Sequence, residues 1–159
     1  MLEDLFQPEI ERYHITIDDK RTMVHAAYLT AYPWGAFRLS LNRNLYGTEQ
    51  LEAAGMQIAR IVLGHEFQRS GFRQEYVNRK QWDQALLWLS RRLISDRLMS
   101  KASREKWEAW QLAEEAGVTE AIAWRRWEDW AQLRGRIVPF MPRRAPRFAS
   151  EKAEAPFFD

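Results

Sequence analysis

Cysteine is absent from the 159 residues. That excludes disulfide staples, thiol nucleophiles and every zinc site built on sulfur. Long apolar runs are missing as well: no uncharged stretch approaches the roughly 18 residues that a membrane span needs. The opening "MLEDLFQPEIERY" is acidic and lacks the basic start and apolar centre of a signal peptide. A large charge imbalance is also lacking. The formal net charge is only +2, with a pI near 9.0, so the global balance does not argue for nucleic acid. No internal repeat is present. Together these absences lead us to expect a soluble, cytoplasmic protein without a membrane partner.

What the chain does contain is enough apolar material for a substantial core, at 46% of its residues. Eight tryptophans are present, most of them between Trp82 and Trp130, and are read as helix-packing residues. The basic residues Arg134, Arg136, Arg143, Arg144 and Arg147 follow one another with no acid among them. The organisation expected is one α+β domain over residues 1–133. A proline-containing tail, basic and then acidic, follows over 134–159.

Strand patterns come first and helical ones follow. Residues 2–12 suggest a short amphipathic helix whose regularity is limited by Pro8. "YHITIDD" and "GAFRLSLN" alternate apolar and polar residues with the period of a half-buried strand, and "MVHAAYLTAY" lies between them. With turns at Asp18-Asp19 and Pro33-Trp34-Gly35, these segments predict a small antiparallel sheet of three strands over about residues 13–42. A helix capped by Thr48 is predicted to run through Ile58, Ile61 and His65 to about Arg69, where "SGF" ends it. A second is expected from about Arg79 to Met99 and a third from near Ser103. The third ends at Gly117, and a fourth, capped by Thr119, reaches about Leu133. Strands followed by a helical bundle indicate an α+β class rather than a parallel α/β sheet.

His65-Glu66 stands where a zinc peptidase would begin an H-E-x-x-H motif. In that motif two histidines one helical turn apart bind zinc from one face, and the glutamate polarises the attacking water. Here Arg69 occupies the second histidine's place, and a guanidinium cannot give up its proton to coordinate a metal. The ordinary reading is a His-Glu dipeptide in a plain helix. His14 and His25 fall in the strand region and do not complete the motif by spacing.

The order of segments adds to this. A small sheet with "GAFRLSLNRNL", a helix into "LGHE", "DQALLWLSRRLIS" and then "LAEEAGVTEAIAWRRW" resembles the ImmA/IrrE-like metallopeptidase family over roughly residues 10–130. The resemblance implies a zincin-like fold in which His65 is a zinc ligand and Glu66 the catalytic residue. It also implies a third ligand, a glutamate on the next helix, where this chain has Gln84. Asp83 is the neighbouring carboxylate, displaced about 100° around the helix. With Arg69 and Gln84 at two of the three ligand positions, the resemblance implies a degenerate scaffold with no cofactor expected. Zinc would be bound only if the protein is an active peptidase. Members of the family are often linked to bacterial mobile elements and phages and act on repressors, so a repressor-like protein partner is implied. Regulation by protein–protein interaction is therefore the expected role. Glu66 would then pair with Arg69 or Arg73 where the metal once sat.

"WQLAEEAGVTEAIAWRRWEDW" also resembles a helix-turn-helix, with Ala113 at the crossing, Gly117 in the turn and Thr119 starting the second helix. Arg125 and Arg126 would be its base or phosphate contacts, supported by the arginines at 134–147. Against this reading stand five acids in or beside the pair and the bulk of Trp124, Trp127 and Trp130. Two further readings thus remain open: an active zinc peptidase, and a small DNA-binding regulator.

Overall fold

The computed structural model describes residues 2–65 and 79–134. The chain divides into two compact units at Ala85/Leu86, and each is described separately.

The first unit begins with two short helices, α1 (Leu2–Leu5) and α2 (Gln7–Tyr13). Pro8 lies in the first turn of α2, where a missing N–H costs nothing, so it starts this helix rather than disrupting it. Phe6, between the two helices, is fully buried. His14 caps α2 in the left-handed region at φ 53° and turns the chain into the first strand.

Three strands follow, β1 (Ile15–Arg21), β2 (Ala27–Ala31) and β3 (Phe37–Asn42). Their spatial order is β1-β3-β2. β2 and β3 form an antiparallel hairpin closed by Pro33-Trp34-Gly35, with Gly35 at φ 87°. β1 pairs with β3 in parallel, so the sheet is mixed and not the antiparallel one expected. Asp18-Asp19 is not a turn either; the two residues lie within β1, next to a register irregularity between Asp18 and Arg21. The chain instead crosses over through residues 22–26. Asn42 ties that crossover down, donating from Nδ2 to the Met23 carbonyl at 2.7 Å and from its backbone N–H to the Ala26 carbonyl at 2.9 Å.

Alternation gives the sheet two unlike faces. Ile15, Ile17, Leu39, Leu41, Ala27 and Leu29 share one face by register, and Leu39 and Leu41 are fully buried. α3 (Gly47–Val62) packs on β2 and β3 and supplies Ala54, Met56, Ile58 and Ala59 to that core. It begins two residues earlier than expected, with Tyr46 rather than Thr48 at its N-cap.

Its end differs more. Gly64 adopts φ 69° and its N–H donates to the Ile61 carbonyl, while the His65 N–H donates to the Arg60 carbonyl at 3.0 Å. This paired 5→2 and 6→1 bonding is the Schellman termination. It ends α3 at Val62, seven residues before the expected Arg69.

The second unit is helical. The chain enters it within α4 (Arg79–Leu93) and continues through α5 (Asp96–Arg104), α6 (Ala109–Ala116) and α7 (Glu120–Arg134). The long helix expected over 79–99 is thus two. Ser95 takes an extended backbone and accepts from the Leu98 N–H at 3.2 Å, so it caps α5 and breaks the run. The helix expected from Ser103 is interrupted as well: Lys106 sits at φ 56°, and α6 starts behind a Glu108–Gln111 capping box. Gly117, left-handed at φ 67°, ends α6, and the Thr119 hydroxyl accepts from Ile122 N–H, as the sequence indicated. Leu89, Ile94, Met99, Leu112, Ile122 and Trp127 form the fully buried centre of this unit.

Candidate functional site

His65 is positioned by the Schellman turn, not by α3 itself. It therefore does not stand on the helical surface from which an H-E-x-x-H ligand would project together with a partner four residues on. Glu66, Arg69 and Arg73 lie outside the described residues, so the ion pair expected between them does as well. Gln84 is in the second turn of α4, and the two positions that the family resemblance singled out on separate segments do meet. His65 Nε2 and Gln84 Oε1 lie 3.3 Å apart, within hydrogen-bond distance. Nδ1 is buried and has no hydrogen-bond partner among the described residues.

The donor set does not fit a zinc ion. Beside His65 stands the amide of Gln84, which carries no charge and is a poor zinc ligand. Asp83 is exposed, one position away on α4. Among the described residues no group of three or more His, Asp or Glu side chains comes together to hold a metal ion. The contact holds a loop end against a helix, and no step of hydrolysis follows from it.

The helix pair α6–α7, joined at the left-handed Gly117, uses its arginines internally. Arg126 is 2% exposed. Its Nε donates to the Ile94 carbonyl at 3.0 Å, Nη1 to Asp129 Oδ2 at 2.9 Å, and Nη2 to Asp96. Its guanidinium also lies over the Trp130 ring, 5.7 Å from the centroid. Asp129, 3% exposed, receives Arg91 in a two-point contact, with Nε at 2.9 Å. Bonding to Arg91, with the neighbouring positive charges, holds the Asp129 carboxyl below the ordinary aspartate range despite burial. Arg91 is raised in turn, chiefly by the same bond.

Arg126 is therefore not the DNA contact the sequence suggested; it is an internal cation closing a helix junction. Arg125 is largely covered too, with its side chain 11% exposed and Glu128 Oε2 at 4.0 Å. Trp127 and Trp130 are buried on the same helix, so α7 serves as the core of its unit. Arg134 is the last residue of α7, and Arg136, Arg143, Arg144 and Arg147 lie outside the described residues.

Sequence reasoning missed this four-residue network. The i,i+3 spacing of Arg126 and Asp129 was its only local trace; Arg91 and Asp96 join through the fold. It also passed over a second feature. At the tip of the β2–β3 hairpin Trp34 is 74% exposed and stacks on Tyr32, with ring centroids 4.6 Å apart and planes 10° from parallel. No helix of the described residues is long and apolar enough to cross a membrane.

No family model, curated protein or solved structure matches the chain. Function must be argued from its own residues.

Proposed function

We propose that the protein is a metallopeptidase-like scaffold with an incomplete zinc site. In this reading it acts by binding another protein, a repressor-like regulator of a bacterial or phage system, and does not cleave it. The observation that carries the reading is the His65–Gln84 contact. The resemblance assigned these two positions to ligands on different segments, and the fold brings them within hydrogen-bond distance. The chemistry at the second position has changed from a carboxylate to a neutral amide, which can be bonded by an imidazole N–H but binds zinc poorly. The end of α3 at Val62 supports the same reading, because the helical geometry that pairs two histidines on one turn is not supplied by that helix. A helix-turn-helix DNA reader is not carried forward, since Arg126 is committed to Asp96, Asp129 and the Ile94 carbonyl.

The test is metal analysis of protein purified without added zinc, alongside the double substitution Arg69→His with Gln84→Glu. The wild-type chain should hold well below one zinc per molecule. The double variant should gain zinc affinity that His65→Ala abolishes. Near-stoichiometric zinc in the wild type, lost on His65→Ala, would establish an active-type site and reject the reading. A folded double variant with no gain would reject the zincin-like relationship.

A further inference from the structure

Among the described residues, the sheet's second face contributes nothing to the buried core. Register places Thr16, Arg38 and Thr30 in one row across it, Asp18, Ser40 and Tyr28 in the next, and Arg21 beside Asn42 beyond them. None of these residues is buried. Tyr32 continues the Tyr28–Thr30 side of β2 and, after Asp18, favours the charged form of Arg38 on this same face. Trp34 then extends the aromatic surface by stacking on Tyr32.

The face thus has two unlike margins. Along β2 and the hairpin run Tyr28, Tyr32 and Trp34, the two tyrosines separated by about 13 Å of extended chain. Towards β1 and β3 stand the guanidiniums of Arg21 and Arg38, with hydroxyls of Thr16, Thr30 and Ser40 between the margins. Arg38 is held in place by its ion pair with Asp18. Arg21 remains 72% exposed although Asp18 lies 3.9 Å away. Residues 12–43 hold only two acids, Asp18 and Asp19, against five lysines and arginines.

Trp34, 74% exposed and already steadied on one side by Tyr32, presents a flat apolar ring on which a planar ligand can stack. A flat partner that also carries negative charge matches the arginine margin. We propose that this sheet face binds single-stranded nucleic acid, with unpaired bases stacking on Trp34 and Tyr28 and the phosphate backbone following Arg38 and Arg21. Aromatic platforms beside a basic track are the sequence-tolerant mode of single-strand recognition. Duplex is a poor fit, because its bases are already stacked on one another. The face carries two arginines against one aspartate, so stacking supplies most of the affinity and phosphate contacts supply little.

The test measures fluorescence anisotropy of labelled oligo(dT) and oligo(U) titrated with the full chain across a salt series. Single strands should bind and a duplex of equal length should compete poorly. The dependence on salt should be shallow, with a log–log slope of about −1 for one or two neutralised phosphates. Trp34→Ala should weaken binding about 10-fold or more. Arg21→Ala should make the slope shallower by about 0.7. Trp110→Ala, an exposed tryptophan of the helical unit, should change neither. Retained thermal unfolding temperature shows that each variant is folded. Absence of binding at low salt overturns the proposal, as does indifference to Trp34→Ala or equal competition by heparin, which presents charge without bases. Binding of a neutral glucan in place of the oligonucleotides overturns it too.

Discussion

Arg91 and Asp129, 38 residues apart in sequence, meet in a two-point guanidinium–carboxylate contact on one side of Asp129, while Arg126 meets the same carboxylate from the other. A buried acid shared by two arginines is a commitment of the fold: without it the buried Arg126 keeps only Asp96 and the Ile94 carbonyl, and Arg91 loses its two-point partner.

Asp129→Ala should therefore destabilise the helical unit by about 1.5–3 kcal/mol. Arg126→Met combined with Asp129→Leu should be far milder than the sum of the single substitutions. Asp96, whose side chain is 79% exposed, is left in water by that pair of changes. Urea unfolding of the two single variants and the double variant measures the coupling; additive losses would show that the contacts are not coupled.

The same carboxylate predicts the acid limb of stability. Its folded pKa is depressed, first by the bond to Arg91. Its contribution is thus fully present above the unfolded value of about 3.9 and is lost as pH falls through the lower folded value. Unfolding temperature should drop below about pH 4, and the drop should be smaller in Asp129→Asn, which starts from a lower stability at neutral pH. Calorimetry from pH 7 to pH 2.5 shows whether the slope changes.

Gly64 ends α3 at φ 69°, and a Cβ built there meets nothing within 4 Å. The cost of Gly64→Ala is therefore backbone strain alone, about 1–2 kcal/mol. Gly64→Asn should cost less, because asparagine tolerates the left-handed region. Equal losses for the two substitutions in thermal unfolding would contradict the Schellman end.

Gln84→Ala should cost about 1 kcal/mol if the His65 contact is an ordinary neutral hydrogen bond. Gln84→Glu should lose less than Gln84→Ala, because a carboxylate oxygen can still accept from the imidazole. Equal losses for the two substitutions in thermal unfolding would mean that the two side chains do not meet in solution.

Leu39 is fully buried on the central strand against α3. Leu39→Ala should cost about 2–5 kcal/mol from lost transfer energy and the remaining cavity. Trp34→Ala at the exposed hairpin tip should stay within about 0.5 kcal/mol of wild type. The contrast separates core from surface in one denaturation experiment.

Local signals were legible where they were self-contained. Alternation marked β1 and β3 because a strand with one buried face repeats every two residues, and Phe37, Leu39 and Leu41 do so cleanly, whereas the β2 segment was ambiguous by itself. Gly117 and Thr119 marked the α6–α7 turn because a left-handed residue followed by a hydroxyl cap is a local construction. Helix ends were less legible. Gly64, Ser95 and Lys106 each interrupt an apolar periodicity that continues on both sides, so the 3.6-residue pattern ran through breaks that backbone conformation imposes.

The sequence by itself determined the α+β class, the three strands, the helical second half and the absence of sulfur chemistry. All follow from composition and short-range period. Only the tertiary structure could decide that β1 inserts beside β3 in parallel, since alternation fixes which face a residue takes and not which neighbour it pairs with. It alone brought His65 to Gln84 and turned Arg126 inward to Asp129. A charged side chain's fate depends on which partners arrive from distant segments, and neither spacing nor composition records their arrival.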